Sequence, residues 1–414
     1  MQPTSLLVLA AFGVAAITPL AHAGWTVTTP AIPGQSVSRA FATGGVGTGV
    51  GRVEFTVAPG MPRAFFLPPT SADWIDLTPA TSNASEALGA SGEYQVGWAT
   101  FPALNRSDAM LWRGSAASGV SLHPAGAHAS VAYGTDGVQQ VGLITYPQQF
   151  LWRASLWSGT VESWVNLHPA SGTSSIAYGV SAGQQVGVVY TNGIGARAVM
   201  WTGSAESMIE LAPSNTFDSY AFSVHNGQQA GIVYTINGAR ATIWSGTPQS
   251  AVNLHPPRPN PYFDSHAFAT HNGKQAGYAT SGSGPHAMMW SGTAASFVDL
   301  HNLLDPNTFS NSIATGIWTD GTTTVVTGYG LDHTVFHDRA IVWTFTPDVP
   351  ACDDIDFNNN SVFPEDQDVI DFFNVLAGQD CPTCNDIDFN NNQVFPEDQD
   401  VIDFFNVLAG GTCP

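Results

Sequence analysis

The segment from Arg153 to Gly187, RASLWSGTVESWVNLHPASGTSSIAYGVSAGQQVG, contains every part of a sequence motif that is repeated along this chain. An Arg-Ala pair leads into Trp157, a Ser-Gly turn follows, and an alternating run ends in Leu-His-Pro. A Ser-x-Ala-Tyr stretch, a glycine turn and Gln-Val-Gly then complete the copy. Short alternating stretches separated by Gly, Pro, Ser and Asn predict four antiparallel strands per copy.

The copies follow one another at a nearly constant interval. They place tryptophans at positions 112, 157, 201, 244, 290 and 343, which are 45, 44, 43, 46 and 53 residues apart. Four strands every ~45 residues is the pattern of a β-propeller blade. Within each copy, we expect the tryptophan, the leucine of Leu-His-Pro and the Ala-Tyr/Phe pair to form the core between blades.

The two ends of this array complement each other. Thr26–Pro30, Ser38–Thr43 and Gly47–Gly51 match the second, third and fourth strands of a copy, and Arg339–Trp343 matches the missing first strand. We predict that both ends share one blade. The chain would then form an all-β, seven-bladed β-propeller over residues 24–348, closed by its N- and C-terminal strands, without free edge strands. An open solenoid is the alternative.

The repeated sequence motif resembles that of a known family. Ser-His-Ala-Phe-Ala at 265–269 and Gly-x-Gln-x-Gly at 273–277 are similar to the bacterial HAF-type extracellular repeat family, over roughly residues 24–346. The resemblance implies an extracellular repeat protein. It carries over no catalytic residue.

The N-terminus predicts secretion. Leu6–Ile17 is almost continuously apolar, Pro19 interrupts it, and Ala21-His22-Ala23 is a small-x-small cleavage site. We therefore expect a signal peptide over residues 1–23 and a secreted, extracellular or cell-surface protein. A membrane anchor is the alternative, although a span needs about 20 apolar residues.

Charge is concentrated at the C-terminal end. The chain has a formal net charge of −21, and residues 351–414 contain 14 Asp and Glu without any Lys or Arg. This distribution argues against nucleic acid as a partner. It favours a separate, cation-binding domain over residues 349–414.

The four cysteines all lie in that acidic segment, at Cys352, Cys381, Cys384 and Cys413. The two outer intervals are both 29 residues. In an oxidising compartment this spacing predicts disulfides Cys352–Cys381 and Cys384–Cys413. The alternative interpretation takes Cys381-Pro-Thr-Cys384 as half of a zinc site.

The acidic segment is itself a tandem repeat. Asp354–Gly378 returns as Asp386–Gly410, with Gln393 in place of Ser361. Each copy has oxygen donors on alternate residues, then Pro and an apolar helix pattern, and calcium takes six to eight oxygen ligands from such a loop. The predicted calcium ligands are Asp356, Asn358, Asn360, the Val362 carbonyl and Asp368, and in the second copy Asp388, Asn390, Asn392, the Val394 carbonyl and Asp400.

Two registers of the loop are open. A loop that starts at Asp354 places Glu365 at the twelfth position, as in EF-hands, whereas one that starts at Asp356 places Asp368 one residue late. We prefer the second register, because Asp-Phe-Asn-x-Asn resembles the opening of dockerin modules.

The dockerin resemblance covers about 62 residues and implies a calcium-stabilised module that anchors the chain to a protein partner. The segment departs from that family in its lengthened loop, its missing loop glycine and its bracketing cysteines. A disulfide-stapled acidic domain without a specific ion is the alternative.

The chain offers few candidates for catalysis. It has no P-loop or dinucleotide fingerprint, and the repeated Leu-His-Pro histidines and the 332–338 loop are interpreted as structural. We predict a non-enzymatic binding or scaffold propeller, with a glycan or protein ligand on the ring. The alternative is a carbohydrate-active enzyme with paired carboxylates, for which the candidates are Asp73, Glu86, Asp108, Asp218, Asp264 and Asp305.

Overall fold

The structure is a computed structural model. It describes residues 24–30, 35–45, 49–55, 61–68, 74–147, 151–347, 352–392 and 394–411. The predicted signal peptide, Asp73 and Cys413 lie outside these residues. The chain divides between Thr346 and Pro347 into two compact units, which we call the propeller unit and the tail unit.

The propeller unit consists of four-stranded antiparallel sheets, seven in the described residues. The first strand, β1 (Trp25–Thr28), belongs to the last sheet. Sheet I contains β2 (Gln35–Ala42), β3 (Gly49–Phe55), β4 (Arg63–Leu67) and β5 (Ile75–Asp76); sheet II contains β6 (Ala84–Ser91), β7 (Tyr94–Phe101), β8 (Arg106–Trp112) and β9 (Val120–Ser121); sheet III contains β10 (Ala129–Thr135), β11 (Gln140–Thr145), β12 (Trp152–Trp157) and β13 (Val165–Asn166).

The remaining sheets repeat this order. Sheet IV contains β14 (Ser174–Ser181), β15 (Gln184–Thr191), β16 (Gly195–Trp201) and β17 (Ile209–Glu210); sheet V contains β18 (Ser219–His225), β19 (Gln228–Thr235), β20 (Gly238–Trp244) and β21 (Val252–Asn253); sheet VI contains β22 (Asp264–His271), β23 (Lys274–Ser281), β24 (Gly284–Trp290) and β25 (Val298–Asp299); sheet VII contains β26 (Phe309–Thr319), β27 (Thr324–Asp332), β28 (His337–Phe345) and β1. Short 3-10 turns lie at Pro102–Leu104, Ala116–Ser118, Val161–Ser163, Ala205–Ser207, Pro248–Ser250, Ala294–Ser296 and Leu300–Leu303. The predicted β-propeller architecture is confirmed at this level.

The repeated residues explain how each sheet forms. In sheet IV the buried Gln185 side chain accepts a hydrogen bond from the Gly203 backbone N–H at 2.7 Å, which fixes the turn after Trp201. The tryptophan, the preceding Leu167 and Ala177 are fully buried between sheets, and burial of one large apolar side chain stabilises the fold by about 1.5–3 kcal/mol. The Tyr/Phe position also packs between sheets, since Tyr133 and Tyr178 lie against a core cluster that includes Leu143 and Ile176, and it lines a cavity as well.

Neighbouring sheets are joined by a repeated polar bond. Ser175 of β14 accepts from the Ala154 N–H of sheet III at 2.9 Å. His168 donates from Nε2 to the Gly172 carbonyl, so its Nδ1 accepts the Ser175 hydroxyl proton at 2.8 Å. The same serine-to-alanine bond recurs between all seven sheets, at Ser38–Ala340, Ser85–Ala64, Ser130–Ala109, Ser175–Ala154, Ser219–Ala198, Ser265–Ala241 and Ser312–Ala287.

The predicted contact between the two ends of the array is present, because β1 pairs antiparallel with β28 and Val27 lies opposite Trp343. The assignment of the next two segments to that same blade was wrong. Strands β2 and β3 pair instead with β4 in sheet I. The repeat has the same period whichever strand is taken as its first, so the sequence does not specify which strand begins a sheet.

The tail unit is built from two helices, α1 (Asp366–Leu376) and α2 (Asp398–Leu408). Its core consists of four fully buried phenylalanines, Phe357, Phe372, Phe389 and Phe404. The backbone N–H groups of Asp353 and Asn385 donate across the repeat, each at 2.9 Å to the other half. The two copies therefore complete one another. Within the described part of the chain, no helix is long and apolar enough to cross a membrane.

The cysteine pairing differs from the prediction. Cys381 and Cys384 are bonded to each other, with their Cα atoms 5.3 Å apart. Cys352 is also disulfide-bonded, so the predicted pairs Cys352–Cys381 and Cys384–Cys413 are wrong. A turn in which Cys384 N–H donates to the Cys381 carbonyl brings those two residues within bonding range. The bond uses both thiols, so the half-zinc-site interpretation is also wrong.

Candidate functional site

Each sheet carries a β-bulge in its first hydrogen-bonded strand. In β14 the register shifts between Ala177 and Gly179, so Tyr178 is the extra residue. A bulge re-aims the side chain of the inserted residue. The equivalent residues in the seven sheets, which we call the bulge ring, are Phe41, Leu88, Tyr133, Tyr178, Phe222, Phe268 and Thr315.

In sheets II to VI the glycine of Gln-x-Gly lies opposite the bulge. Gly187 pairs with Ala177, and a Cβ atom on Gly187 would lie 1.9 Å from the Ile176 carbonyl oxygen. The corresponding glycines of sheets II, III, V and VI would clash at 1.8 or 1.9 Å. The bulge in Ser-x-Ala-Tyr and the glycine of Gln-x-Gly therefore act together to direct the Tyr/Phe side chain out of the sheet.

All seven members of the bulge ring line one cavity of ≈ 430 Å³. Their rings form a chain of contacts, since the centroids of Tyr133–Tyr178, Tyr178–Phe222 and Phe222–Phe268 are each 5.4 Å apart. Burial raises the pKa of both tyrosines, so their hydroxyls stay protonated. The wall of the cavity at this level is uncharged, and five of its seven bulge residues are aromatic.

A second ring lies three residues further along each of these strands. We call it the mouth ring; its members all line the same cavity and are Gly44, Ser91, Asp136, Ser181, His225, His271 and Trp318. Unlike the core residues, these positions vary along the array, with five residue types at seven positions. Non-repeating polar and aromatic side chains gathered in one concave site are the features of a ligand-binding pocket.

Two histidines of the mouth ring have a fixed tautomer. The Asn272 N–H donates to Nδ1 of His225 at 3.1 Å, and the Thr319 N–H donates to Nδ1 of His271 at 3.2 Å. In a neutral imidazole the proton then resides on Nε2. Burial lowers the pKa of His225, and burial together with His225 lowers the pKa of His271 to about 4. Both rings are therefore neutral donors at pH 7.

The mouth ring contains one carboxylate. Asp136 accepts from the Val138 and Gln139 N–H groups at 3.0 and 2.7 Å through Oδ1. The described lining of the cavity includes no Lys, Arg or Glu. A ligand in this cavity meets little formal charge.

Sequence reasoning missed both rings. The signal was available in part, because the aromatic residue after Ser-x-Ala recurs in five of the seven sheets. It was interpreted as core because a bulge cannot be recognised from alternation alone. The mouth ring left no signal, since its residues share only a position.

The predicted catalytic carboxylates are held elsewhere. Asp108 pairs with Arg106, Asp218 and Asp264 accept from strand N–H groups, Asp305 accepts within its own turn, and Glu86 accepts from Trp98. These five lie outside the cavity lining. Each has a structural bond that explains its presence.

A Ser-His-Asp set also lies outside the cavity. Ser283 Oγ is 3.4 Å from His286 Nε2, and His286 Nδ1 is 2.9 Å from Asp299. Arg197 and Glu210 occupy the same cross-strand positions in sheet IV and form an ion pair at 3.5 Å. The His286–Asp299 contact thus takes the place of a strand-to-strand ion pair, and Ser283 is exposed in the adjoining turn.

The tail unit brings the first three predicted ligands of each loop together. Asp356 is buried and accepts from the Asn360 and Ser361 N–H groups at 2.9 and 2.7 Å. The Oδ1 atoms of Asn358 and Asn360 accept from the backbone N–H groups of Asn360 and Val362 at 3.2 and 2.7 Å. The second loop repeats these bonds through Asp388, Asn390, Asn392 and Val394.

The fifth predicted ligand of each loop is buried at the helix start. Asp368 accepts from the Glu365 N–H through Oδ2, and its Oδ1 is buried without a hydrogen-bond partner. Asp400 repeats this arrangement with Glu397. Burial raises the pKa of Asp400 and outweighs the lowering effect of the Glu397 and Asn390 backbone N–H groups, and the charges of Asp388 and Glu397 raise it further.

This donor chemistry suits a hard cation. A buried carboxylate oxygen without a partner costs about 1–3 kcal/mol, and calcium binds such oxygens together with amide and backbone oxygens. Across the described residues, no three His, Cys, Asp or Glu side chains form a metal-binding group. Each loop instead combines two carboxylates with Asn side chains.

The tail unit also exposes apolar side chains in a repeated pattern. The eight residues are each 40–58% exposed and are Val362, Phe363, Ile370, Phe373, Val394, Phe395, Ile402 and Phe405. The rings of Phe373 and Phe405 are 6.0 Å apart and connect the two copies. We call this set the tail apolar surface.

Comparison with known proteins identifies the fold but gives no function. No family model and no curated protein matches the chain. The β-propeller domain of the Trilobed protease from Pyrococcus furiosus, which has an open velcro topology, is similar at a TM-score of 0.52 and 8% identity, over 75% of this chain and 95% of that domain. This likeness shows a β-propeller fold.

Two further structures align more loosely. They are an oligogalacturonate lyase in complex with manganese (TM-score 0.49, 10% identity, 79% of this chain and 95% of that chain) and an uncharacterized protein from Listeria monocytogenes (TM-score 0.46, 8% identity, 75% and 96%).

Proposed function

We propose that this chain is a secreted or surface-attached, non-enzymatic binding propeller that is coupled to a protein partner through a calcium-stabilised, dockerin-like tail unit. The observation that carries the proposal is the pair of buried, unpartnered carboxylate oxygens of Asp368 and Asp400 beside the two loops. A disulfide at Cys381–Cys384 supports an oxidising compartment.

The seven sheets are the blades of one closed ring in this proposal. The serine-to-alanine bond between Ser38 and Ala340 supports closure, because it joins sheet VII to sheet I in the same way as every other neighbouring pair. The pairing of β1 with β28 supports it independently. A closed ring would leave the cavity as its central channel.

Calcium is held by the ten predicted ligands. Asp356, Asn358, Asn360, the Val362 carbonyl and Asp368 form the first site, and Asp388, Asn390, Asn392, the Val394 carbonyl and Asp400 form the second. Burial of Asp356 and Asp368 and the exposure of Asp354 favour the register that begins at Asp356. A bound divalent cation supplies the positive charge that these clustered carboxylates otherwise lack.

The tail apolar surface is the docking site for the partner. It belongs to a unit whose sequence over residues 351–414 contains 14 Asp and Glu and no Lys or Arg. The complementary partner is a protein domain with an apolar patch bordered by Lys and Arg side chains.

The alternative, a carbohydrate-active enzyme, has less support. A glycosidase needs two carboxylates flanking its substrate, and the described cavity lining contains Asp136 alone. Glycan turnover that is abolished by Asp136→Asn would overturn the non-enzymatic proposal.

Calcium titration of the full, oxidised chain tests the proposal. We expect two calcium ions per chain by calorimetry, and loss of both in the double variant Asp368→Asn/Asp400→Asn. The matched control is Asp366→Asn/Asp398→Asn, which removes the same charge from exposed positions two residues earlier on each helix and keeps both sites. Absence of binding at millimolar calcium would remove the metal from the proposal.

Partner docking is tested separately. A bait with Phe373→Ser/Phe405→Ser should lose the partner that the wild-type chain retains in calcium, whereas Asp366→Asn/Asp398→Asn should keep it. Retention of the partner by the Phe373→Ser/Phe405→Ser bait would contradict this surface as the site. Self-association abolished by Phe373→Ser/Phe405→Ser would identify a second copy as the occupant instead.

A further inference from the structure

The mouth ring has two chemically different halves. Sheets V, VI and VII contribute His225, His271 and Trp318, whose rings form a continuous strip with centroid distances of 3.9 and 6.0 Å. Sheets I to IV contribute only Gly44 and the short polar side chains of Ser91, Asp136 and Ser181. A ligand between them meets aromatic side chains on one side and short polar groups on the other.

The aromatic half also donates hydrogen bonds. Because backbone N–H groups occupy Nδ1 of both histidines, each ring presents an Nε2–H as its remaining polar group, and both rings line the cavity. An N–H on a neutral ring donates well to a hydroxyl oxygen. It gives no net charge with which to hold a phosphate or carboxylate.

The charge of the cavity lining further restricts the class of ligand that can bind. Within its described residues the cavity wall lacks Lys and Arg, so it has no counter-charge for an anion. Asp136 retains one carboxylate oxygen beyond the Oδ1 atom that holds its own turn, and that oxygen can accept from a ligand hydroxyl.

We propose that the mouth ring binds one sugar residue of a neutral oligosaccharide. The apolar face of the sugar packs on Trp318, its hydroxyl oxygens accept from Nε2–H of His225 and His271, and another hydroxyl donates to Asp136. Aromatic side chains with a few convergent polar groups are the usual composition of such sites. This inference rests on the binding role proposed for the propeller.

Calorimetry on the calcium-loaded full chain tests it. The probes are four neutral hexasaccharides, of α-1,4-glucose, β-1,4-glucose, β-1,4-xylose and β-1,4-mannose, with hexagalacturonate as the anionic comparison. At least one neutral probe should bind, with hexagalacturonate at least tenfold weaker. No binding of any neutral probe at 5 mM, or tighter binding of hexagalacturonate, would overturn the proposal.

Two variants locate the site. Trp318→Ala and His271→Ala should each weaken the bound probe at least tenfold. Trp152→Ala is the matched control, because Trp152 is 42% exposed on β12 and lies outside the cavity lining. Equal losses in Trp152→Ala and Trp318→Ala, or no loss in a folded Trp318→Ala, would place the sugar elsewhere.

The result is separable from the proposed anchoring function. A chain that binds calcium and its partner but none of the neutral probes refutes the sugar site alone. A chain that binds and then cleaves a probe keeps the sugar site and refutes the non-enzymatic role.

Discussion

At the residue scale, the construction of the cavity depends on a missing side chain. The position of Gly187 opposite the bulge in β14 leaves no space for a Cβ atom, which would lie 1.9 Å from a backbone carbonyl oxygen. Only glycine permits Tyr178 to leave the sheet plane there. The same pairing recurs through the array, so the aromatic lining of the cavity is encoded partly by residues that do not touch it.

Gly187→Ala should therefore be strongly destabilising. We expect a loss of about 2–4 kcal/mol in the free energy of unfolding, because the backbone must shift to remove the clash. Gly282→Ala is the control, since nothing lies within 4 Å of its added Cβ. Urea unfolding followed by tryptophan fluorescence measures both; similar midpoints for the two variants would contradict the account.

Buried histidines make the propeller unit acid-sensitive. Burial lowers the pKa of His266, His271 and His301 to about 4, against about 6.5 in an unfolded chain. Between these values the unfolded state binds more protons, so stability falls as the pH drops from 6.5 toward 4.5.

The measurement is the urea midpoint at pH 8, 7 and 5. We expect no change between pH 8 and 7 and a clear decrease at pH 5. All 12 tryptophans lie between Trp25 and Trp343, so their fluorescence reports this unit alone. A midpoint at pH 5 that equals the midpoint at pH 7 would mean that the histidines are not buried neutral.

At the scale of elements, the sheets are joined by hydrogen bonds that apolar packing alone would not provide. Ser312 of β26 accepts from the Ala287 N–H at 3.1 Å, and Nδ1 of His301 is 3.0 Å from its hydroxyl. Substitution of this serine removes a hydrogen-bond partner from the buried Ala287 N–H and from the half-buried ring of His301.

Ser312→Ala should cost about 1–3 kcal/mol of stability, the usual effect of orphaning buried polar groups. Ser310→Ala, two residues earlier on the same strand and exposed, should change it by less than about 0.5 kcal/mol. Chemical denaturation measures the free energy of unfolding of both variants. If the Ser312→Ala protein is as stable as the Ser310→Ala protein, the hydrogen bond makes no net contribution to stability.

Elements were predictable from the sequence to different degrees. Alternation and turn residues predicted the strands, and Pro364 followed by Val369 and Phe372 predicted helix α1. The sequence did not reveal that β2 starts a sheet, because the period is the same for every choice of first strand. The equal 29-residue cysteine intervals reflected the duplication, whereas the local turn at Cys381–Cys384 determined the bond.

At the scale of the whole molecule, the array and the acidic segment were predictable as separate parts. Their composition changes abruptly near Thr346, where the two compact units divide. The cavity was not predictable, because Asp136, His225 and Trp318 are far apart in sequence and share only their distance from a bulge. Such a site exists only once the sheets are arranged around a common centre.

The proposed ring closure can be tested with a covalent bond. Thr26 and Thr344 lie directly opposite in β1 and β28, where Cα separations of about 4.5–5.5 Å permit a disulfide. The double variant Thr26→Cys/Thr344→Cys should form this bond and raise stability by about 2–5 kcal/mol. Peptide mapping verifies the pair, and Thr26→Cys/Ser310→Cys, on the other edge of the sheet, should not form it. Failure of the first pair to form would argue for an open array.

The pairing of β1 with β28 also affects the order of events after synthesis. Thr26 emerges early and meets Thr344 only after 318 further residues have been made. Contacts of such long sequence separation form late and slowly. Until then, β1 is a nascent strand with an unpaired edge, so the interval between its synthesis and the arrival of β28 is when this protein is most vulnerable to aggregation and proteolysis.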